Sequence, residues 1–179
     1  MTWARLALTI SCCAAPCLAE DAVMQNLKQL VDSYKTNMLE AAEKLKEADY
    51  AFKPTDDVRS FGQLMGHVAD ANYSICSGLK GEANPNKESI EKKGGTKPEM
   101  IAAVQKSFDY CSSAMDAASD AKLAETVKRG NTERAKAYFA LHLLDHTALH
   151  YGNMITYMRM KGVVPPETER RQQPAPAKK

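Results

Sequence analysis

The chain has 179 residues, 24 Lys and Arg against 22 Asp and Glu for a formal charge of +2, and 44% hydrophobic residues. That length suits one domain with one core, and basic residues interleaved with acids give no footing for a nucleic-acid binder. Beyond the first nineteen residues, no segment is long and apolar enough to span a bilayer.

Residues 1–19 carry one positive charge at Arg5, an apolar run from Leu6, and small residues down to Cys17-Leu18-Ala19 before Glu20-Asp21. This is the layout of a secretory signal peptide cleaved after Ala19, and it predicts a periplasmic or secreted mature protein. A lipoprotein acylated at Cys17 is the alternative, disfavoured by Pro16 where such signals want a small residue. Of the five cysteines, Cys12, Cys13 and Cys17 leave with the signal, so that Cys76 and Cys111 remain. An even pair in an oxidising compartment is a candidate disulfide; two buried thiols in helix interfaces are the other reading.

From Asp21 to Ala48, Val23, Leu27, Leu30, Val31, Tyr34, Met38, Ala41, Ala42 and Leu45 recur at steps of three and four, the spacing of a helix that buries one stripe. Phe52-Lys53-Pro54 ends it. A second helix runs from a cap at Ser60 to Leu79. Residues 80–96, rich in glycine, asparagine and charge, read as a long exposed connection with a helical turn at Ser89 to Lys92. A third helix begins at Lys97, with Pro98 in its first turn, and reaches about Ala118. Gly130-Asn131-Thr132-Glu133 opens a fourth, which stops at Gly162. Residues 163–179, rich in proline and lysine, read as a flexible tail. No strand alternation of useful length is found, so the fold expected over residues 20–162 is all-α, a four-helix bundle.

Residues 80–96 could cross the full length of a helix, which makes the second and third helices parallel. Cys76 and Cys111 then differ in height by about 6 Å, against about 16 Å in a simple hairpin, beyond the reach of a disulfide. The cysteine pair and the crossover therefore stand or fall together.

Among the four histidines, His146 and His150 lie four apart on the fourth helix, which stacks them on one face about 6 Å apart. His67, on the second helix, could face them across the bundle. Three neutral imidazoles with a coordination position left over make a reactive divalent-metal centre, whereas a structural site is normally closed by four protein ligands. Imidazole suits zinc, nickel, copper or iron. Met154 and Met158 continue the His150 face and would admit copper, although methionines at this spacing, like Met38, Met65 and Met115, usually fill a core. His142 reads as a boundary residue. Asp70, Asp145 and Asn153 are candidates to hold the second ring nitrogens of the ligands, with Asp70 reading equally well as a solvated charge. Tyr73, Tyr151 and Arg159 are candidate pocket residues, the tyrosines also reading as packing.

A bundle with Phe52-Lys53-Pro54, His67 at the end of Phe61-Gly62-Gln63-Leu64-Met65-Gly66-His67, and His146-x-x-x-His150-Tyr151-Gly152 followed by Tyr157-Met158-Arg159-x-x-Gly162 resembles the DinB-like superfamily over most of the mature chain. The resemblance implies His67, His146 and His150 as ligands of a divalent metal, zinc or nickel. Characterised members include metal-dependent thiol S-transferases and maleylpyruvate isomerases. Leu149 stands where many members have a second histidine, and Asn153 replaces a common glutamine; neither change removes a ligand. The expectation is an exported metal-dependent transferase or hydrolase acting on a small-molecule substrate. Its rival is a non-catalytic metal-binding or interaction module, such as a homodimer.

Overall fold

The structure, a computed structural model, describes residues 21–173; the signal peptide expected at residues 1–19 lies outside them. Helix α1, Ala22–Lys44, starts at Asp21, which adopts a left-handed φ of 63°. There the Asp21 carboxylate accepts the Asp120 amide at 2.7 Å, while Asp120 accepts the amides of Val23 and Met24 at 2.9 and 2.8 Å. These bonds satisfy donors that a helix start leaves without intrahelical partners. A 3₁₀ turn at Glu47–Ala51 leads to α2, Phe61–Lys80, whose Ser60 and Gln63 form a capping box. Gly81, at φ 75°, ends α2 in the left-handed conformation that glycine adopts without steric cost.

Within the connection that follows, the helical turn expected at Ser89 to Lys92 is the short helix α3, Ile90–Lys93. Helix α4, Lys97–Asp116, opens with Pro98 in its first turn and a capping box between Thr96 and Glu99. The connection does cross the bundle. Asn72 Nδ2 donates to Ser107 Oγ at 3.0 Å and Cys76 is disulfide-bonded to Cys111, both pairs 35 positions apart. A constant offset means that α2 and α4 run parallel, as the cysteine argument required.

Helix α5, Lys136–Met160, runs antiparallel to α2, with the Phe139 ring over Gly78 at one end and Tyr157 Oη donating to the Arg59 carbonyl at 2.9 Å at the other. A Cβ at Gly78 would come within 2.3 Å of the Phe139 ring, so glycine is what allows this approach. Helix α1 packs on α4 and α5, antiparallel to α4 through Lys35–Asp109 and Lys28–Asp116. Met38, Phe61, Met65, Val104, Phe108, Leu143, Met154 and Met158 are buried between the helices. Among the described residues, no helix is long and apolar enough to cross a membrane.

Two expectations are corrected. Gly130-Asn131-Thr132-Glu133 does not open the fourth helix; it turns a β-hairpin, β1 Thr126–Arg129 against β2 Thr132–Ala135, with Gly130 at φ 59°. Four-residue strands are too short to show alternation, but a Gly-Asn pair between two short runs is itself a hairpin signal. Nor is the segment after Gly162 only a tail. Pro166–Gln172 forms α6, which leans on α1 through Lys44–Glu169 at 2.7 Å and through Arg170 to Glu40 and Asn37. Pro165 and Pro166, read as part of a flexible tail, instead start this helix, because proline is tolerated in a first turn.

Candidate metal centre

The four-residue step on α5 projects His146 and His150 toward α2, and the antiparallel pairing of the two helices sets His67 opposite them. His146 Nε2 lies 3.2 Å from His67 Nε2 and 3.1 Å from His150 Nε2. Ligand atoms of all three fall within 4.8 Å of one another, a cluster that could hold a metal ion. Nitrogens at about 2.0 to 2.1 Å from a tetrahedral ion are separated by about 3.3 Å, close to the two edges that His146 makes with His67 and His150.

Proton bookkeeping points the same way. Imidazole nitrogens this close cannot all satisfy one another through N–H donors, whereas a cation accepts every lone pair. Burial first, then the neighbouring His150, His67, His142 and Arg59, pushes the His146 pKa down to about 3. Burial, His67 and Arg59 push that of His150 down to about 4, against the opposing pull of Glu91. Both rings therefore stay neutral near pH 7, the state in which imidazole binds metal.

Each far ring nitrogen has its own setting. His67 Nδ1 lies 3.2 Å from Glu91 Oε2, and Glu91 Oε1 accepts from Arg59 Nε at 2.8 Å. The His150 Nδ1 faces the Asn153 amide at 3.4 Å. His146 Nδ1 is buried and has no protein partner. His142 stays beside the triad, stacked on Tyr138 with ring centroids 5.5 Å apart.

The remaining candidates are distributed more widely. Asp70 does not touch the histidines; it accepts from Ile90 N, Glu91 N, Ser89 Oγ and Asn86 Nδ2 at 2.8 to 3.1 Å, pegging α3 to α2. Asp145 is exposed on α5. Tyr73 packs on Tyr110 along the α2–α4 seam, and Tyr151 is buried against Tyr34 of α1. Arg159 reaches Thr168 on α6. Tyr73, Asp145, Tyr151 and Arg159 are thus not brought to the triad, because helical phase sends them to other faces.

Glu91 and Arg59 escaped the sequence reading, since both sit in connections that composition marks as exposed. One signal was available. Gly62 and Gly66 are unfavourable inside a helix by roughly 0.5 to 1 kcal/mol each relative to Ala, and at Gly66 a Cβ would lie 2.6 Å from the Glu91 Cα. A helix-interior glycine here marks where another backbone touches down.

His150 and Asn153 form part of the wall of an open cleft of about 660 Å³, with Arg59, Gln63, Glu91 and Tyr157 around them and Lys53, Asp56 and Asp57 toward the rim. The triad therefore stands beside a space able to take a small molecule.

Comparison with solved structures places this architecture among known ones. A DinB-like protein from Bacillus cereus ATCC 10987 superposes with a TM-score of 0.68 at 16% identity, covering 79% of this chain and 95% of that one. A second, from Bacillus subtilis, gives 0.62 at 15% identity over 76% and 92%. A point mutant of the mycothiol-dependent maleylpyruvate isomerase gives 0.62 at 13% identity, over 83% of this chain and 66% of that one. At such identities the likeness shows the fold alone. No curated protein sequence matches. The family model described as the DinB superfamily matches residues 29–154, which include the whole histidine triad and most of the bundle, and the chain belongs to that superfamily.

Proposed function

We propose that this protein is an exported metal-dependent enzyme in which His67, His146 and His150 hold one divalent ion, zinc or nickel, beside the Arg59–Tyr157 cleft. The observation that carries the reading is the close approach of three imidazoles, with His146 Nε2 at 3.2 Å from His67 Nε2 and 3.1 Å from His150 Nε2, beside an open cleft that His150 lines. With three protein ligands, a coordination position remains for a small molecule. When bound, the ion supplies Lewis acidity that brings a coordinated thiol or water toward neutral pKa. Burial holds His146 and His150 neutral, Glu91 and Asn153 face the far nitrogens of His67 and His150, and Arg59 and Gln63 line the cleft that would take a substrate. Transfer or hydrolysis on a small electrophile is the reaction class that this arrangement serves. Support for a thiol as co-substrate comes from the fold shared with the mycothiol-dependent isomerase.

The test is elemental analysis of tag-free protein recovered from the periplasm, wild type beside His146→Ala, with mass spectrometry of the intact chain. About one zinc or nickel per wild-type chain, absent from the variant, and a mature N-terminus at Glu20 are expected. Wild-type protein without stoichiometric metal, even after reconstitution, overturns the metalloenzyme. Stoichiometric metal without thiol transfer or hydrolysis in a broad electrophile screen leaves the non-catalytic metal-binding module.

A further inference from the structure

We propose that Glu91, carried on the crossover between α2 and α4, is the positioning residue of the triad: its carboxylate fixes His67 as the Nδ1–H tautomer, with Nε2 free to bind metal. This rests on the metal reading above for its purpose but not for its geometry. Glu91 Oε2 stands 3.2 Å from His67 Nδ1, and a carboxylate can only accept there, so the ring proton belongs on Nδ1. The other carboxylate oxygen takes the Arg59 Nε–H at 2.8 Å, which prevents the carboxylate from turning away. Arg59 is in turn held through its own carbonyl by Tyr157 Oη at 2.9 Å.

The backbone beneath Glu91 is fixed as firmly as its side chain. Asp70 accepts the amides of Ile90 and Glu91 at 2.8 and 3.1 Å, together with the Ser89 hydroxyl at 2.8 Å. Gly66, one residue before His67, lets the Glu91 backbone rest on α2, where any Cβ would meet Glu91 N at 2.8 Å. Three separate devices, a carboxylate peg, a helix-interior glycine and an arginine clamp, thus converge on one carboxylate beside one ring nitrogen. A segment that served only to connect two helices would need none of them. Such acceptors on the far nitrogen of a ligating histidine orient the ring and raise its basicity, and their loss typically lowers metal affinity about 10- to 100-fold.

The experiment compares wild type, Glu91→Ala, Gly66→Ala and Lys92→Ala, full-length mature protein in each case. Long-range ¹H–¹⁵N NMR of the metal-free protein reads the His67 tautomer, and competition with a chromophoric chelator reads zinc affinity. Wild type and Lys92→Ala are expected to show Nδ1–H at His67. Glu91→Ala should lose that preference and bind zinc about 10- to 100-fold more weakly, with Gly66→Ala following it because the carboxylate is displaced. Retention of the Nδ1–H tautomer in Glu91→Ala, or zinc binding within about twofold of wild type, overturns the proposal. Should Gly66→Ala not fold, Glu91→Ala decides alone. Failure of wild type itself to bind zinc would strike the proposed function instead, while the tautomer would still decide the Glu91–His67 pairing.

Discussion

Helix α2 has two seams, and they are built on opposite terms. Toward α4 it runs parallel, and the contact is dry and closed: Cys76 and Cys111 are fully buried and bonded, and Asn72 donates to a buried Ser107. Toward α5 it runs antiparallel, and the contact holds three imidazoles, of which His150 lines an open cleft. Desolvated nitrogens facing one another cost stability, whereas a crosslink adds to it. A single helix therefore carries a bracing face and a reactive face, and the bracing one holds His67 in place while α5 supplies its partners.

This division can be broken from either side. His146→Ala should abolish stoichiometric metal binding, the largest effect, while the chain stays helical, because the disulfide seam is untouched; elemental analysis beside circular dichroism checks it. Replacing Cys76 and Cys111 together by serine should do the reverse. Closing a loop between residues 35 apart contributes about 4 kcal/mol, so the unfolding free energy measured in urea should fall by that amount while metal stoichiometry is retained. A variant that lost both together would show that the seams are one unit.

Asp70→Ala sharpens the comparison, since Asp70 belongs to neither seam but ties the crossover down across both. Leaving the amides of Ile90 and Glu91 without their charged acceptor should cost about 2 to 3 kcal/mol in denaturant unfolding.

A more gradual effect is expected from pH. In the metal-free protein the pKa values of His146 and His150 fall from 6.5 to about 3 and about 4. The unfolded chain therefore takes up protons at these positions before the folded one does, and stability present above pH 6.5 is lost as pH falls through the two lowered values. Thermal melts of the metal-free protein should decline from pH 6.5 toward 4, and the slope should lessen in His150→Ala. A melting temperature that did not change with pH over that window would refute the burial of neutral His146 and His150 in the folded protein.

Much of this was legible before any coordinate. Residues with local signals announced themselves: the apolar steps of α1, the Ser60 cap, Pro98 and Gly162 all act over a single turn, where sequence distance and spatial distance coincide. The triad was legible for a related reason, because a four-residue step guarantees one helix face and the resemblance of motif supplied His67. The hairpin at Thr126–Ala135 was missed because its strands are shorter than the pattern that reveals strands, and α6 because its prolines were read as composition of a flexible tail when they start a helix.

What the amino-acid sequence alone determined, then, is the four long helices, the Ser60 cap, a cysteine pair whose bond and crossover had to stand or fall together, and three histidines with reason to meet. What only the tertiary structure decided is what stands behind those histidines. Helical phase carries Asp145 and Tyr151 away from the site although they adjoin its ligands in the chain, and chain crossover brings Glu91 to His67 from 24 positions distant. Periodicity reports which face a residue occupies, but the partner that a loop delivers to that face depends on how the loop crosses the bundle, and no local rule of spacing contains that.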